Sequence, residues 1–206
     1  MTPTAVYGLA GACAGLECVD LTNGWVWGIG DFAVRALAAG CSGLQRLCLA
    51  QCWGVGDGAI QAVAEHCSRL RCLDISGCPE ITDTGLQALA AGCGALEYID
   101  ISTDGYCVWC APSNKHITDE GIRCLAANCR QLTHVYLDPC SPRNLTDAAV
   151  EALATLCDAL LVVSLWNHSR LNPYSSRVSK PPRELLQARH PRCTGFEVPD
   201  ADIDDY

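Results

Sequence analysis

Cys107 and Cys110 are separated by two residues, and His116 follows close behind. Two thiols at that spacing beside an imidazole are the donors of a zinc site or a redox pair. A structural zinc ion takes four ligands and this segment offers three. The redox motif belongs in a thioredoxin-like setting that the flanking residues do not supply. We therefore read TDGYCVWCAPSNKH, Thr103 to His116, as a plain loop, and expect neither metal nor cofactor. The remaining histidines, His66, His134, His168 and His190, share no spacing from which a base or a ligand set could be assembled. No glycine-rich phosphate loop leads into a helix. Without a nucleophile, a base and an orienting group in one place, the expectation is a chain that is not an enzyme.

Sixteen cysteines in 206 residues would signal a disulfide scaffold in a short secreted chain. Here most of them recur at fixed places in an Ala/Leu-rich pattern, where a thiol acts as a small buried hydrophobe. Reduced thiols and a reducing compartment follow. No run of about 18 apolar residues occurs, and the N-terminus lacks the basic-then-apolar layout of a secretory signal. The expectation is a soluble cytoplasmic protein, with the nucleus and the cilium as the other compartments in view, and no membrane contact. The net charge of −9 is uneven, about −9 over residues 1–167, +5 over 168–192 and −5 over the last fourteen. An acidic body argues against nucleic acid, because phosphate contacts need clustered Lys and Arg.

The elements that would hold any binding residue are set by an internal repeat, and a period of 20 to 50 residues decides a fold before local patterns do. From Cys67 the chain reads CSRLRCLDISGCPEITDTGLQALAAGC. The same frame runs from Cys41 as CSGLQRLCLAQCWGVGDGAIQAVAEHC and from Cys129 as CRQLTHVYLDPCSPRNLTDAAVEALATLC, with looser copies from Cys13 and Cys93 and a partial one from Cys157. The intervals are 26 to 28 residues, with one longer interval after Cys93. Leu73 and Ile75 stand two apart, the period of a strand with one buried face. Leu86, Leu89, Ala90 and Cys93 stand three and four apart, one face of a helix. Thr82-Asp83, repeated as Thr118-Asp119 and Thr146-Asp147 and weakened to Gly30-Asp31 and Gly56-Asp57, falls where a polar side chain can cap the helix. No unit buries both halves alone, so units must stack into an α/β solenoid with a parallel sheet inside and helices outside.

The unit from Cys67 to Cys93, C-x2-L-x2-L-x-L-x2-C followed by I-T-D and a closing L-A-x2-C, resembles the cysteine-containing leucine-rich repeats of F-box/LRR proteins. The resemblance covers residues 13–165. It implies a curved leucine-rich-repeat solenoid of about five to six repeats that binds proteins, most familiarly the substrates of a cullin-RING ubiquitin ligase. The ligase role requires an F-box ahead of the repeats. Residues 1–12 already read as the helix of a partial preceding repeat, so no F-box is expected.

Between the two closing apolar positions of each strand sits a residue that faces the inner wall, giving the column Asp20, Cys48, Asp74, Asp100, Tyr136 and Ser164. Asp74 and Asp100 then oppose each other across adjacent strands at a cost of roughly a few tenths of a kcal/mol, which a basic partner would relieve. Flanking columns add Arg46, Tyr98 and His134 on one side and Ser76, Asp138 and Trp166 on the other. A solvated polar face is the alternative reading of the same residues. Trp25, Trp27, Trp53 and Trp109 all fall between strand and helix, on one rim of the arc, as interface anchors or as a local cover of the repeat ends. Residues 166–206 form a C-terminal cap, with Leu185 and Leu186 in a short helix over the last repeat, and then an acidic tail. The function expected is protein binding through the inner wall and the rim, with a partner of basic surface. The alternative is a structural subunit of a larger multi-subunit assembly such as a ciliary axoneme complex.

Overall fold

The computed structural model describes residues 2–24, 28–102, 116–137, 145–164 and 180–192. Helix α1 (Pro3–Ala12) is followed by β1 (Cys18–Asp20), α2 (Asp31–Gly40), β2 (Arg46–Cys48), α3 (Asp57–His66), β3 (Cys72–Asp74) and α4 (Asp83–Gly92). Then come β4 (Tyr98–Asp100), α5 (Asp119–Asn128), β5 (His134–Tyr136), α6 (Asp147–Leu156), β6 (Val162–Ser164) and α7 (Lys180–Arg189). The six strands pair in sequence order, all parallel, and each helix packs on the next from α1 to α7. Helices need about 8–10 Å between axes and strands only about 4.8 Å, so this two-layer stack must fan into an arc with the sheet inside. This is the expected leucine-rich-repeat architecture. Among the described residues no helix is long and apolar enough to cross a membrane.

Register places each strand's central residue in one core-facing row, Val19, Leu47, Leu73, Ile99, Val135 and Val163, all buried. Leu49, Ile75 and Ile101 close the next core row without exposure. On the helices the buried residues fall three and four apart, as in Leu86, Leu89 and Ala90 of α4. The threonines cap as their position predicts: Thr82, Thr118 and Thr146 accept from the amides of Thr84, Glu120 and Ala148. Gly30 and Gly56 have no side chain to offer, and α2 and α3 start without that bond.

The aspartates that open α2 to α5 do something the sequence pattern does not announce, for each reaches forward to the next repeat. Asp57 accepts from the Thr82 amide at 2.8 Å, the Gly85 amide at 3.0 Å and the Thr82 hydroxyl at 2.7 Å. Asp83 holds Thr118, and Asp119 holds Thr146, through the same amide and hydroxyl pair. Asp31 holds the Gly56 amide at 2.6 Å. Gly85 and Gly121 make room for this, since a Cβ there would lie 2.6 Å from Asp57 Oδ1 and 2.4 Å from Asp83 Oδ1.

Cysteines form a second set of links. The frame residues Cys13, Cys41, Cys67, Cys93, Cys129 and Cys157 are the C-caps of α1 to α6. From Cys41 onward the thiols point back one repeat: Cys41 donates to the Cys13 carbonyl at 3.3 Å, Cys93 to Cys67 at 3.5 Å and Cys129 to Cys93 at 3.5 Å. Cys52 and Cys78 donate likewise to the Leu21 and Leu49 carbonyls at 3.2 and 3.1 Å. A thiol suits the position because it is small enough for the core yet still a weak donor to a carbonyl left open between repeats. Every described cysteine is a free thiol. Burial pushes Cys67 and Cys129 up to about 11 and Cys93 and Cys157 up to about 12 from 9.0. The thiolate is the reactive form, so a rise of that size cuts native reactivity by about 100-fold or more. Pulse alkylation read by mass spectrometry should modify exposed Cys18 in the native protein and reach these four only in denaturant. Labelling of all five at equal native rates would contradict the buried ladder.

Two glycines mark where helices nearly touch. A Cβ at Gly92 would stand 2.1 Å from the Ala64 carbonyl oxygen of α3, and one at Gly40 would stand 2.2 Å from that of Ala10 in α1. Backbone cannot yield as a side chain can, so Gly92→Ala should lower stability by about 1–3 kcal/mol. Gly8 in α1 has nothing within 4 Å of its Cβ position. Gly8→Ala should instead raise stability by about 0.5–1 kcal/mol through helix propensity, and urea midpoints of the two variants moving together would refute the packing argument.

At the C-terminal end α7 lies on α6, with Leu186 fully buried and Leu185 partly so. His190, which shares no repeat position, is buried here and its Nε2 lies 3.1 Å from the Ala154 carbonyl. A carbonyl only accepts, so Nε2 carries the proton.

Candidate functional site

The inner wall is built by main-chain pairing, and register fixes which side chains share it. Asp20, Cys48, Asp74, Asp100, Tyr136 and Ser164 are in one row, and Cys18, Arg46, Cys72, Tyr98, His134 and Val162 in the next. Asp74 does stand opposite Asp100.

The acidic column is more occupied than its position alone indicates. Asp74 Oδ1 accepts from the Ser76 amide at 2.9 Å and the Ser76 hydroxyl at 2.7 Å. Asp20 does the same with Thr22 at 2.8 and 2.6 Å, and Asp100 accepts from the Ser102 amide at 2.8 Å. These bonds turn one oxygen of each carboxylate along its own strand, and they hold the Asp20 carboxyl below its usual value. Ser76 is buried, so it supports Asp74 from beneath and is not open wall, contrary to the flanking position that the repeat pattern gives it. The second oxygen of Asp74 accepts only weakly, from the Cys48 thiol at 3.3 Å. Cys48 also meets the Thr22 hydroxyl at 3.0 Å, and burial pushes its thiol up to about 11.

Toward β4 and β5 the wall becomes aromatic. The Tyr98 and Tyr136 rings lie with centroids 5.4 Å apart at 41°, and Tyr98 and His134 lie 6.2 Å apart at 32°. In register Tyr136 opposes Asp100, so its ring meets Tyr98 on the diagonal and the Asp100 carboxylate borders the pair. Burial, with Asp100 and Asp74 nearby, holds the Tyr98 hydroxyl well above the usual tyrosine value. The Thr133 hydroxyl gives its proton to the Glu97 carbonyl at 2.9 Å and lies 2.8 Å from His134 Nδ1. Nδ1 must then be the donor.

A depression of about 210 Å³ joins the two regions, lined among others by Asp20, Arg46, Leu47, Cys48, Asp74 and Tyr98. Three thiols border it, yet among the described residues no three His, Cys, Asp or Glu side chains are placed to hold a metal ion. The geometry offers acceptors, aromatic faces and an apolar floor, which are the parts of a recognition surface.

Of the residues singled out from sequence, the structure brings Asp20, Arg46, Asp74, Tyr98, Asp100, His134 and Tyr136 onto one wall. Trp53 is half-buried after β2. Asp138, Trp166, Trp25, Trp27 and Trp109 lie outside the described residues, as do Cys107 and Cys110. Two features were missed. The seats of the aspartates were visible as Asp20-Leu21-Thr22, Asp74-Ile75-Ser76 and Asp100-Ile101-Ser102. Phe32, second residue of α2 and 79% exposed, carried no signal because its repeat position is otherwise small or polar.

A family model described as Leucine Rich repeat matches residues 66–90, one repeat of the array. Among solved structures, the tropomodulin C-terminal domain of Caenorhabditis elegans is similar at 12% identity and a TM-score of 0.51, covering 93% of both chains. A chain of the yeast Rad7 and Elc1 complex is similar at 16% identity and a TM-score of 0.55, over 95% of this chain and 52% of that one. This protein thus spans about half the length of the yeast chain. At such identities the likeness is one of fold. No curated protein matches the chain in sequence.

Proposed function

We propose that this leucine-rich-repeat protein is a non-catalytic recognition module that holds a protein partner of basic surface against its inner wall. The observation that carries the reading is the Tyr98, His134 and Tyr136 group beside Asp74 and Asp100. These side chains are only half-buried and face away from the core rows, so stacking the repeats does not require aromatic residues there. Interface anchors are enriched in such residues. Asp20 and Arg46 would extend the contact along the wall. Trp53 would extend it onto the rim, joined by Trp25, Trp27 and Trp109 of the strand-to-helix segments and by Asp138 and Trp166 after β5 and β6. The resemblance of the Cys67 to Cys93 unit to F-box/LRR repeats supports selection of substrates for ubiquitination as the setting.

A second reading, a structural subunit of a large cytoplasmic assembly such as a ciliary axoneme complex, draws on the exposed Phe32, Tyr7 and Leu161, which lie outside the two inner-wall rows. Affinity purification of the tagged protein from its own cells, compared with a Tyr98→Ala/Tyr136→Ala variant and a Phe32→Ala variant, separates them. Losing two anchors should cut partner recovery by about 30-fold or more, since truncation of a hot spot costs about 2 kcal/mol. The thermal melt should barely move. Recovery unchanged in the tyrosine variant but lost in the phenylalanine variant would sink the inner-wall reading in favour of the second.

A further inference from the structure

We propose that the inner wall recognises an arginine side chain of its partner, stacked on one ring face of the Tyr98 and Tyr136 pair with its guanidinium edge toward Asp74 and Asp100. This rests on the inner-wall reading above and names the chemistry that the wall selects.

Ring geometry decides between cations. A cation held between two aromatic faces needs them about 7 Å apart, one van der Waals contact on each side. The Tyr98 and Tyr136 centroids are 5.4 Å apart and tilted by 41°, so nothing fits between them. What such a tilted pair can offer a cation is a single ring face and not a slot. A spherical ammonium or methylated ammonium gains most from enclosure, which is absent here. A planar guanidinium gains from a single face, by stacking and by the attraction of the ring quadrupole.

The hydrogen-bonding groups around that face are acceptors. Asp100 borders Tyr136 in register, and Asp74 stands one strand further on. The Ser76 bonds occupy Oδ1 of Asp74, while its Oδ2 has only the weak Cys48 thiol. His134 directs Nδ1 inward to Thr133, which fixes its ring beside Tyr98. Guanidinium carries five donors in a fixed fork and no acceptor, which complements two carboxylates. The raised Tyr98 hydroxyl agrees with a partly dry, negatively charged spot. The aliphatic stem has a place in the depression beside Tyr98, whose floor includes Leu47. Arg46 closes the far side of that depression, two strands from Tyr98, and this confines a cation to the β3 to β4 end.

The test is a titration of the isotope-labelled full chain, followed by NMR, with short Gly/Ser peptides that carry one central arginine, lysine, trimethyllysine or citrulline. The arginine peptide should shift the ring signals of Tyr98, Tyr136 and His134. Its affinity should exceed that of the lysine and trimethyllysine peptides by about fivefold or more, and Asp74→Asn/Asp100→Asn should remove that advantage. The citrulline peptide, equal in shape but uncharged, should leave the rings unmoved. Equal affinities for arginine and lysine, a preference for trimethyllysine, or no ring shift at about 10 mM peptide would overturn the proposal. A random peptide display selection on the same protein keeps the two readings apart. Binders that lack arginine yet are lost in Tyr98→Ala/Tyr136→Ala leave the inner wall standing and remove only the arginine. Binders indifferent to those tyrosines, with no ring shift, remove both.

Discussion

Raising the pH of the reduced protein from about 8 to about 10.5 is expected to lower its stability by several kcal/mol, enough to unfold much of it. Cys52, Cys67, Cys78, Cys93, Cys129 and Cys157 are fully buried. Burial pushes Cys52, Cys67 and Cys129 up to about 11 and Cys93 and Cys157 up to about 12, with Cys78 raised further, all from 9.0. Each folded value lies above the unfolded one. The stability these thiols confer is therefore complete below pH 9 and drains away as the pH climbs toward 11 to 12, because only the unfolded chain can release the protons. A tenfold difference in proton affinity is worth about 1.4 kcal/mol, so near pH 10 each thiol withdraws about 1 kcal/mol and six together rival the whole stability of a typical domain. Tyr98, also raised, adds the same sign at higher pH. Urea unfolding at a series of pH values in the presence of a reductant measures the slope. Cys93→Ala should show a shallower slope by one thiol's share, whatever its stability at neutral pH. A urea midpoint that stays level up to about pH 10.5 would mean that the thiols are not sealed from water as the structure has them.

The same ladder shows why the fold was legible in the sequence while parts of the site were not. A period carried by Leu70, Leu73 and Ile75 and then by Leu86, Leu89 and Ala90 states both halves of a repeat. Equal frames then put each residue beside its counterpart one repeat on, so the Asp74 to Asp100 opposition could be read directly. What a side chain does once there depends on neighbours that the pattern does not rank. Asp74 looked like a bare charge on the wall, but Ser76, two residues on, takes up one of its oxygens. Asp57 looked like a residue of its own helix cap, while its bonds go to Thr82 and Gly85, a whole repeat away. Cysteine was legible as a small buried residue, but its donation to a carbonyl of the preceding repeat needs the stacked backbone to be seen. The tilt of Tyr136 onto Tyr98 is likewise a diagonal contact, set by side-chain rotation and not by register.

Asp57→Ala should cost about 3–4 kcal/mol, the loss of three bonds to one carboxylate in a partly buried setting. The Thr82 amide and hydroxyl and the Gly85 amide lose their acceptor at the junction of α3 and α4. Asp57→Asn keeps an oxygen for the two amides but loses the charge, and should recover about half of that cost. The aspartates form a graded series that separates this clamp from the general benefit of an acid in a first helical turn, which is worth about 0.3–1 kcal/mol. Asp31, Asp57, Asp83 and Asp119 all open their helices. Asp31 bonds the Gly56 amide alone, Asp83 and Asp119 each bond an amide and a hydroxyl, and Asp57 adds a second amide. Alanine at each position should therefore cost least at 31, more at 83 and 119, and most at 57. Four equal losses would reduce the clamp to a helix-end effect. Because a solenoid's stability is a sum of repeats and nearest-neighbour interfaces, a break at 57 falls in mid-array and should do more than lower a midpoint. Hydrogen exchange should show the strands up to β2 and those from β3 onward opening with different free energies in Asp57→Ala, where the unaltered protein opens as one unit. Exchange that remains uniform in the variant would place the cohesion of the array in its apolar rows and leave the aspartates a local role.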